Sequence, residues 1–184
     1  FLGQAADTLE AIAYGSYSRQ EVQDLITQVA EILREVNQDL APAQVDEISQ
    51  AIVQNAVSAG VDPMLVLGIA ITESNCRPLA RGKAGEYGML QVMPDTGRWI
   101  AGRLGYGEGW EPAEMLDVRQ NIQFAVYYLR VVTREFGGDT DKGLLAYNRG
   151  SGGARAWLQG HDAGQFCYAR RVKRNYSRAG GGRP

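Results

Sequence analysis

The chain has 184 residues and a mass of 20.1 kDa, the size of one domain built around a single core. Hydrophobic residues make up 45% and charged residues 22%, which excludes a disordered or low-complexity chain. The formal net charge of −2 excludes a protein that binds nucleic acid by neutralising its phosphates. Residues 1–69 have two arginines and ten acidic residues, whereas 150–184 have seven basic residues and one acidic residue. We interpret this gradient as solvated faces.

Several kinds of site and segment are also excluded. The longest apolar stretch, 64–71, is far shorter than the roughly 20 residues that cross a bilayer, so we expect no membrane span. The chain begins at Phe1 without a basic segment followed by an apolar one, and we expect a processed or excised piece whose signal or anchor is not included. Cys76, Cys167 and the single His161 are too few for a structural zinc site, and one histidine argues against a Ser/His/Asp or Cys/His hydrolase.

The hydrophobic periodicity is helical along most of the chain. In 18–38 the apolar residues recur at i, i+3, i+4 and i+7, which predicts an amphipathic helix with one buried stripe. Pro42 suits the first turn of a second helix, which Gly60 ends. Asp62 is the predicted N-cap of a third helix, 63–75. Because this helix is apolar on nearly every face, it should run through the core.

The middle of the chain is rich in glycine. Segments 77–92 and 102–109 therefore predict loops or a short hairpin, in which 89–93 alternates as a strand would. Asp117 is the predicted N-cap of the next helix, which Gly137 ends. Shorter helices are then expected at 140–148, 152–158 and 163–178.

Glu73 stands at the end of the apolar helix. A carboxyl that emerges from a core into a cleft is desolvated, and desolvation raises its pKa towards neutrality, where it can act as a general acid. The alternative is an ordinary exposed glutamate at a helix end, which this position alone favours. The motifs around Glu73 decide between the two.

Four motifs occur in order along the chain. They are 61–67 leading into Glu73-Ser74, then Asn75-Cys76-Arg77-Pro78, then Gly88-Met89-Leu90-Gln91-Val92-Met93-Pro94-Asp95-Thr96, then Ala146-Tyr147-Asn148. Further agreements are Asp117, Asn121-Ile122 and Tyr128-Leu129, and on the last helix Tyr168, Val172 and Tyr176. The pattern, over roughly 42–178, resembles the lysozyme-like domain of the soluble lytic transglycosylases. Each motif alone is weak, but four in this order and spacing are specific.

The resemblance implies a mainly α fold. We expect a lysozyme-like helical domain at 42–184, with a small loop or hairpin lobe. Residues 1–41 lie outside the resemblance and are predicted to form an N-terminal helical extension, containing the extra amphipathic helix, packed on the domain.

The chain departs from the family pattern at three places. Met89-Leu90 reverses the usual Leu-Met order, a swap of similar volume that should preserve the loop. A serine that is common in the preceding loop falls at Gly82, so a hydroxyl near the catalytic carboxylate is expected to be missing. Cys76 stands where an aromatic residue is usual and is expected to take over its packing role.

The activity that the resemblance implies is cleavage of the β-1,4 bond between N-acetylmuramic acid and N-acetylglucosamine in peptidoglycan, leaving a 1,6-anhydromuramoyl end. Glu73 would act first as acid and then as base, and no metal or cofactor is required. The substrate would be a peptidoglycan glycan strand. The predicted substrate-binding residues are Ser74, Tyr87, Met89, Gln91, Tyr147, Asn148 and Tyr168. For these supporting residues, packing or capping is the alternative role.

Two other functions of the same fold stay open. A lysozyme-type hydrolase would need a second carboxylate to hold a water, and Glu86 is the candidate. A non-catalytic cell-wall assembly module would not need Glu73. An unrelated helical interaction protein does not account for the ordered motifs.

The resemblance also implies a location, and it raises the question of whether the two cysteines are bonded. We expect the protein in the periplasm or cell envelope, where an envelope machinery is a possible partner. If Tyr168 lies beside Glu73, Cys76 and Cys167 belong to neighbouring segments, and a disulfide between them is one hypothesis. Two buried free thiols are the alternative.

Overall fold

The computed structural model describes residues 17–180, and most of these residues lie in helices. Within this range there are seven α-helices and no β-strand, so the mainly α prediction is confirmed. The helices are α1 (Arg19–Val36), α2 (Pro42–Ala59), α3 (Pro63–Ser74), α4 (Pro94–Leu104), α5 (Val118–Glu135), α6 (Thr140–Leu158) and α7 (Cys167–Arg178), with 3₁₀ turns at Pro112–Leu116 and Ala163–Gln165. None of the helices in this range combines the length and apolar character that crossing a bilayer requires.

Helix α1 begins with a capping box. The Ser18 hydroxyl accepts the Glu21 N–H at 3.3 Å, and the Glu21 carboxylate accepts the Ser18 N–H at 2.7 Å, which pairs two of the free N–H groups of the first turn. The buried face of α1, which includes Val29 and Leu33, packs mainly on α2. The predicted extension 1–41 includes residues 1–16, which lie outside the described residues.

Helix α3 runs through the middle of the core, as predicted. Asp62 caps it by accepting the Met64 N–H at 2.8 Å, and every residue from Pro63 to Ala70 is buried. Gly68 has no side chain where the backbone of α7 passes, and an added Cβ would lie only 3.1 Å from the Tyr176 nitrogen and the Val172 oxygen. This close contact fixes the direction in which the end of α3 points.

Of the loop or short hairpin predicted at 77–92, the structure shows a loop. Two isolated backbone bridges, Arg81 to Tyr87 and Tyr87 to Val92, are the only β-type pairings there, and the alternation in 89–93 does not mark a strand. Met89 and Leu90 are consecutive and both fully buried, which an extended strand with one buried face does not allow. The segment is a compact loop instead.

One predicted boundary near the C-terminus also changes. The helices expected at 140–148 and 152–158 are the two parts of α6, which are separated by a break at Gly150, whose φ of 69° and ψ of 161° are not helical. The last helix starts at Cys167 and not at 163, because Asp162 caps a short 3₁₀ turn and Phe166 is extended.

Neither of the two hypotheses for the cysteines, a disulfide or two buried free thiols, agrees with the structure. Both cysteines are free, but Cys76 is fully buried whereas Cys167 is exposed at the start of α7. Cys76 follows the end of α3, where its carbonyl accepts the Asn37 amide N–H at 3.0 Å, and its side chain belongs to the core. One sulfur is therefore enclosed while the other faces solvent.

Thiol reactivity should distinguish the two cysteines. Burial raises the pKa of Cys76 to about 12, so at pH 8 this thiol should be both inaccessible and protonated. We expect N-ethylmaleimide to label one thiol per native chain rapidly and the second one only after unfolding, and Cys167→Ser should remove the rapid phase. If the denatured, unreduced chain had no reactive thiol, the two cysteines would be bonded and the free thiols of the structure would be contradicted.

Candidate active site

Glu73 lies in the last turn of α3 and is half-buried. The hydroxyl of Tyr168, in the first turn of α7, donates to Glu73 Oε1 at 2.7 Å. Tyr168 is itself buried, so its ring fills the space between the two helices while its hydroxyl reaches the carboxylate. The structure thus brings together two predicted site residues that are 95 positions apart in the sequence.

The surroundings raise the pKa of Glu73 above its usual range. Burial is the largest cause, since it removes water from the charged form. The Tyr168 hydrogen bond and the positive charge of Arg171 oppose this shift, and the charge of Glu86 adds to it. A larger fraction of Glu73 is therefore protonated at neutral pH than of an exposed glutamate, which suits a proton donor.

Ser74 joins α3 to the loop beside Glu73. Its buried hydroxyl donates to the Met89 carbonyl at 2.7 Å and accepts the Arg77 N–H at 3.1 Å. Met89 is fully buried as well. Both residues were predicted to bind substrate, and the structure places them in the wall that supports the loop.

Asn121 on α5 holds the loop 87–91 from the opposite side. Its side chain, which is 0% exposed, accepts the Leu90 N–H at 2.8 Å and donates to the Tyr87 carbonyl at 2.9 Å. A Cβ at Gly88, where φ is +74°, would overlap the Asn121 amide. Glycine is therefore required at this turn for both its conformation and its size.

Tyr147 and Gln91 complete the support of this loop. The Tyr147 hydroxyl donates to the Leu90 carbonyl at 2.8 Å, and the Gln91 amide donates to the Gly88 carbonyl at 2.7 Å. Gln91 has a φ of +50°, a strained conformation for a residue with a side chain. Burial and, next, the charge of Glu73 raise the pKa of Tyr147.

The remaining predicted residues lie at the surface of the site. Asn148 is exposed on α6, next to Tyr147. Tyr87 is half-buried, and the Arg81 guanidinium lies 4.3 Å from its ring centroid. These two side chains can meet a ligand, whereas those of Ser74 and Met89 are buried.

The Glu86 carboxylate occupies the space beside Gly82, the position at which the family often has a serine. A Cβ at Gly82 would overlap the Glu86 carboxylate and the Gln91 amide oxygen, so this space is occupied by polar atoms of the chain itself. Glu86 Oε2 also accepts the Ala84 N–H at 3.0 Å. The Glu86 carboxylate therefore puts polar oxygen atoms where the serine hydroxyl is missing.

Two residues with roles in this site were not identified from the sequence. Asn121 was quoted only as one of the motif residues, with no role. A buried amide beside Ile122 on an apolar helix face indicates a structural hydrogen-bonding role. Arg171 lowers the pKa of Glu73, and no local sequence pattern indicates that the two residues interact. In 17–180 no cluster of histidine, cysteine and acidic residues could hold a metal ion.

A protein-family model matches the part of the chain that contains most of this site. Residues 50–167 match the model of the transglycosylase SLT domain, and this range contains Glu73, the loop 87–91 and Tyr147. The chain belongs to this family. The resemblance proposed from the motifs is thereby confirmed.

The chain is similar to parts of longer relatives. It is 32% identical over 100 residues to the soluble lytic murein transglycosylase of Escherichia coli (strain K12), a match that covers 54% of this chain and 15% of that protein. It is 35% identical over 101 residues to the membrane-bound lytic murein transglycosylase C of Actinobacillus pleuropneumoniae serotype 5b (strain L20), covering 50% of this chain and 28% of that one. The chain thus spans less than a third of the length of these relatives.

Solved structures share its fold. The 70 kDa soluble lytic transglycosylase from Escherichia coli superposes with a TM-score of 0.66 at 21% identity, covering 97% of this chain and 33% of that one. The lytic transglycosylase Slt from Pseudomonas aeruginosa gives a TM-score of 0.62 at 19% identity, covering the same shares. The lysozyme-like fold class predicted for this SLT domain is confirmed.

Replacing Asn121 should loosen the loop. Asn121→Ala leaves the Leu90 N–H without a partner and removes one of the two hydrogen bonds to the Tyr87 carbonyl, which still accepts the Val92 N–H. We expect a loss of about 1–3 kcal/mol in the free energy of unfolding, measured by denaturant titration. The same substitution at exposed Asn148 is the matched control and should change stability by less than about 0.5 kcal/mol. Equal effects at the two positions would contradict the anchoring role.

Replacing Glu73 should stabilise the fold at neutral and alkaline pH. Since the pKa of Glu73 is higher in the folded than in the unfolded chain, the ionised carboxylate costs folding free energy above the folded pKa, and this cost vanishes below the unfolded value. We expect the melting temperature of Glu73→Gln to exceed that of the wild type at pH 8 and to match it at pH 3.5, because glutamine still accepts from Tyr168. A variant less stable than wild type at pH 8 would contradict the raised pKa.

Proposed function

We propose that this SLT domain is a peptidoglycan lytic transglycosylase that cleaves the β-1,4 bond between N-acetylmuramic acid and N-acetylglucosamine. The observation that carries the proposal is Glu73, a half-buried carboxyl with a raised pKa whose Oε1 is hydrogen-bonded to Tyr168. A single group that gives up and then regains a proton needs a pKa near the working pH. The names of the relatives, lytic murein transglycosylases, support the same activity.

In the first step Glu73 acts as an acid. Its proton passes to the glycosidic oxygen, the bond between that oxygen and C1 of the muramoyl residue breaks, and the bonding electrons leave with the oxygen. The positive charge that develops at C1 is stabilised by the acetamido group of the same sugar, so the reaction belongs to the substrate-assisted exceptions among glycosidases. Since Tyr168 occupies Oε1, we assign the proton transfer to Oε2.

In the second step the Glu73 carboxylate acts as a base. It takes the proton of the C6 hydroxyl, and O6 bonds to C1 to close the 1,6-anhydro ring. Glu73 is protonated again, and no water is consumed. The C6 hydroxyl competes well with solvent because it is tethered to the reacting carbon.

The supporting residues divide into two groups. Tyr168 donates its hydroxyl to Glu73, while Ser74 and Tyr147 hold the loop on which Gln91 lies by donating to the Met89 and Leu90 carbonyls. We propose that Gln91 and exposed Asn148 bind the N-acetyl and hydroxyl groups of the sugars, while Tyr87 offers its ring face.

The second candidate function is a lysozyme-type hydrolase, in which Glu86 would be the second carboxylate. Its charge raises the pKa of Glu73, so the two carboxylates lie within electrostatic reach of each other. However, its Oε2 is engaged by the Ala84 N–H of its own loop. We favour the transglycosylase because the first step needs only Glu73.

The substrate also sets the location. Peptidoglycan lies in the cell envelope, and one relative is named as membrane-bound, so we propose that the chain acts at the envelope, in the periplasm where one exists. An envelope machinery as its partner remains part of this proposal.

The product tests the reaction. Mass spectrometry of the fragments released from purified peptidoglycan should find 1,6-anhydromuramoyl ends, lighter by one water, about 18 Da, than reducing ends. Glu73→Gln should lower the rate more than roughly 100-fold with the fold unchanged, because it has no proton to donate.

Glu86→Gln is the matched control for this product. We expect the same anhydro product and a rate within about tenfold of wild type, because Glu86 transfers no proton in this scheme. Reducing ends from the wild type, together with loss of activity in Glu86→Gln, would replace the transglycosylase by the hydrolase.

Tyr168→Phe should shift the pH dependence. Its hydroxyl stabilises the Glu73 carboxylate, so removing it raises the pKa of Glu73 further and should move the alkaline limb of kcat/KM to higher pH. Tyr176→Phe on the same helix is the control, since the Tyr176 hydroxyl donates to Asp62 at the other end of α3, roughly 16 Å away by helix rise. An unshifted limb in Tyr168→Phe would contradict the assignment of Glu73 as the acid.

A further inference from the structure

A cavity lies at the start of α3, at the opposite end of that helix from Glu73. It encloses about 390 Å³ where the ends of α2 and α5 meet the starts of α3 and α6. Pockets of this volume are typical of sites that bind small ligands or single side chains. Asp62, in its wall, is roughly 16 Å from Glu73 by helix rise. The cavity is therefore separate from the proposed catalytic site.

Part of the lining is apolar. Val61, Leu65 and Leu129 contribute to it. Leu65 and Leu129 are buried members of the core, and Val61 is half-buried against them. An apolar group of a ligand that enters the cavity would be removed from water on this surface, which favours binding.

Arg130 and Arg134 bring two positive charges to the same cavity. They are four residues apart on α5, so they are neighbours on one face of the helix and repel each other. The ion pairs among the described residues include neither of them. In 17–180 the Nε of Arg130 is buried and has no hydrogen-bond partner. Since a buried donor without an acceptor costs free energy, these arginines are suited to an anionic ligand.

Asp62 adds hydrogen-bond acceptors to the wall. Its Oδ1 accepts the Met64 N–H at 2.8 Å and its Oδ2 accepts the Tyr176 hydroxyl at 2.7 Å, and each carboxylate oxygen can accept one more bond. Two guanidiniums against one carboxylate leave one unbalanced positive charge on the lining. The complementary ligand therefore has a single negative charge, an N–H donor and an apolar group.

We propose that this cavity binds the C-terminus of a partner protein whose last residue is apolar. The free carboxylate pairs with Arg130 and Arg134, the last side chain lies against Leu65 and Leu129, and the peptide N–H donates to Asp62. A peptide C-terminus combines these three features in one residue. An inorganic anion lacks the apolar group, and a free amino acid is neutral overall because it also has an ammonium.

A partner bound in this way would recruit the domain without blocking its reaction. The cavity and Glu73 lie at opposite ends of α3, so the substrate and the partner do not compete for the same surface. The inference stands on the cavity alone and does not depend on the proposed function.

The first test varies the ligand. A fluorescein-labelled pentapeptide that ends in leucine with a free carboxylate is compared, by fluorescence anisotropy with the whole chain, with the same peptide ending in a carboxamide. We expect the amide to bind at least about tenfold more weakly, because it cannot form charge-assisted hydrogen bonds with the arginines. Serine in place of the last leucine should also weaken binding about tenfold, because it loses the apolar contact.

The second test varies the protein. Arg134→Gln removes an exposed side chain of the cavity and should weaken binding of the free-acid peptide about tenfold while leaving the amide unaffected. Arg170→Gln is the matched control, since Arg170 is also exposed but does not line the cavity, and its affinity should stay within about twofold of wild type. Circular dichroism spectra of both variants should match that of the wild type.

The third test locates the peptide. In a ¹H–¹⁵N NMR titration of the whole chain, the backbone amides that shift should cluster in 59–65 and 129–140, the segments that form most of the cavity. The amides of Glu73 and of the loop 87–91 should not shift. Shifts confined to residues outside the lining would place the peptide elsewhere and reject the cavity.

Several other results would overturn the proposal. Equal affinity for the acid and the amide, or no binding of the leucine peptide, would reject recognition of a C-terminus. An equal loss in Arg134→Gln and Arg170→Gln would mean attraction by net charge alone. Displacement of the peptide by inorganic phosphate, with no effect of the last side chain, would make the cavity a simple anion site. Free leucine that binds as tightly as the peptide would make it an amino-acid site.

Discussion

The contact between α3 and α7 is the constraint on which the site depends. At one end of α3 the Tyr176 hydroxyl donates to Asp62, and at the other end the Tyr168 hydroxyl donates to Glu73. Between these bonds Gly68 lets the backbone of α7 approach closely. The same packing that buries α3 therefore sets the position, the partner and the ionisation of its only acidic residue.

Glu73 is held between opposing electrostatic effects. Burial and the charge of Glu86 favour its neutral form, whereas Tyr168 and Arg171 favour the carboxylate. Either pair of influences acting alone would shift the pKa of Glu73 in one direction only. The balance suits a residue that must donate a proton and then accept one, and the folding free energy that it costs is recovered in the large apolar core.

The loop 87–91 forms the second half of the site and depends on different helices. Asn121 of α5 and Tyr147 of α6 bind its backbone, while Ser74 of α3 binds it from below. The positive φ of Gly88 and Gln91 persists because these side chains satisfy the backbone groups around them. Three helices distant in the chain thus meet at one short segment, so its shape follows from the packing of the whole domain.

The sequence by itself determined the helices, their caps and the catalytic candidate. Helical periodicity and caps such as Asp62 are local signals, and the same locality placed Glu73 at the end of an apolar helix. The ordered motifs also determined the family. Only the tertiary structure decided which groups surround Glu73, because its partner Tyr168 is 95 residues away. It likewise decided that 88–91 is a turn in which Met89 and Leu90 are buried, that Cys76 is enclosed while Cys167 is exposed, and that Asn121 anchors the loop. Burial of a given side chain depends on elements that pack from elsewhere in the chain, and no local pattern records them.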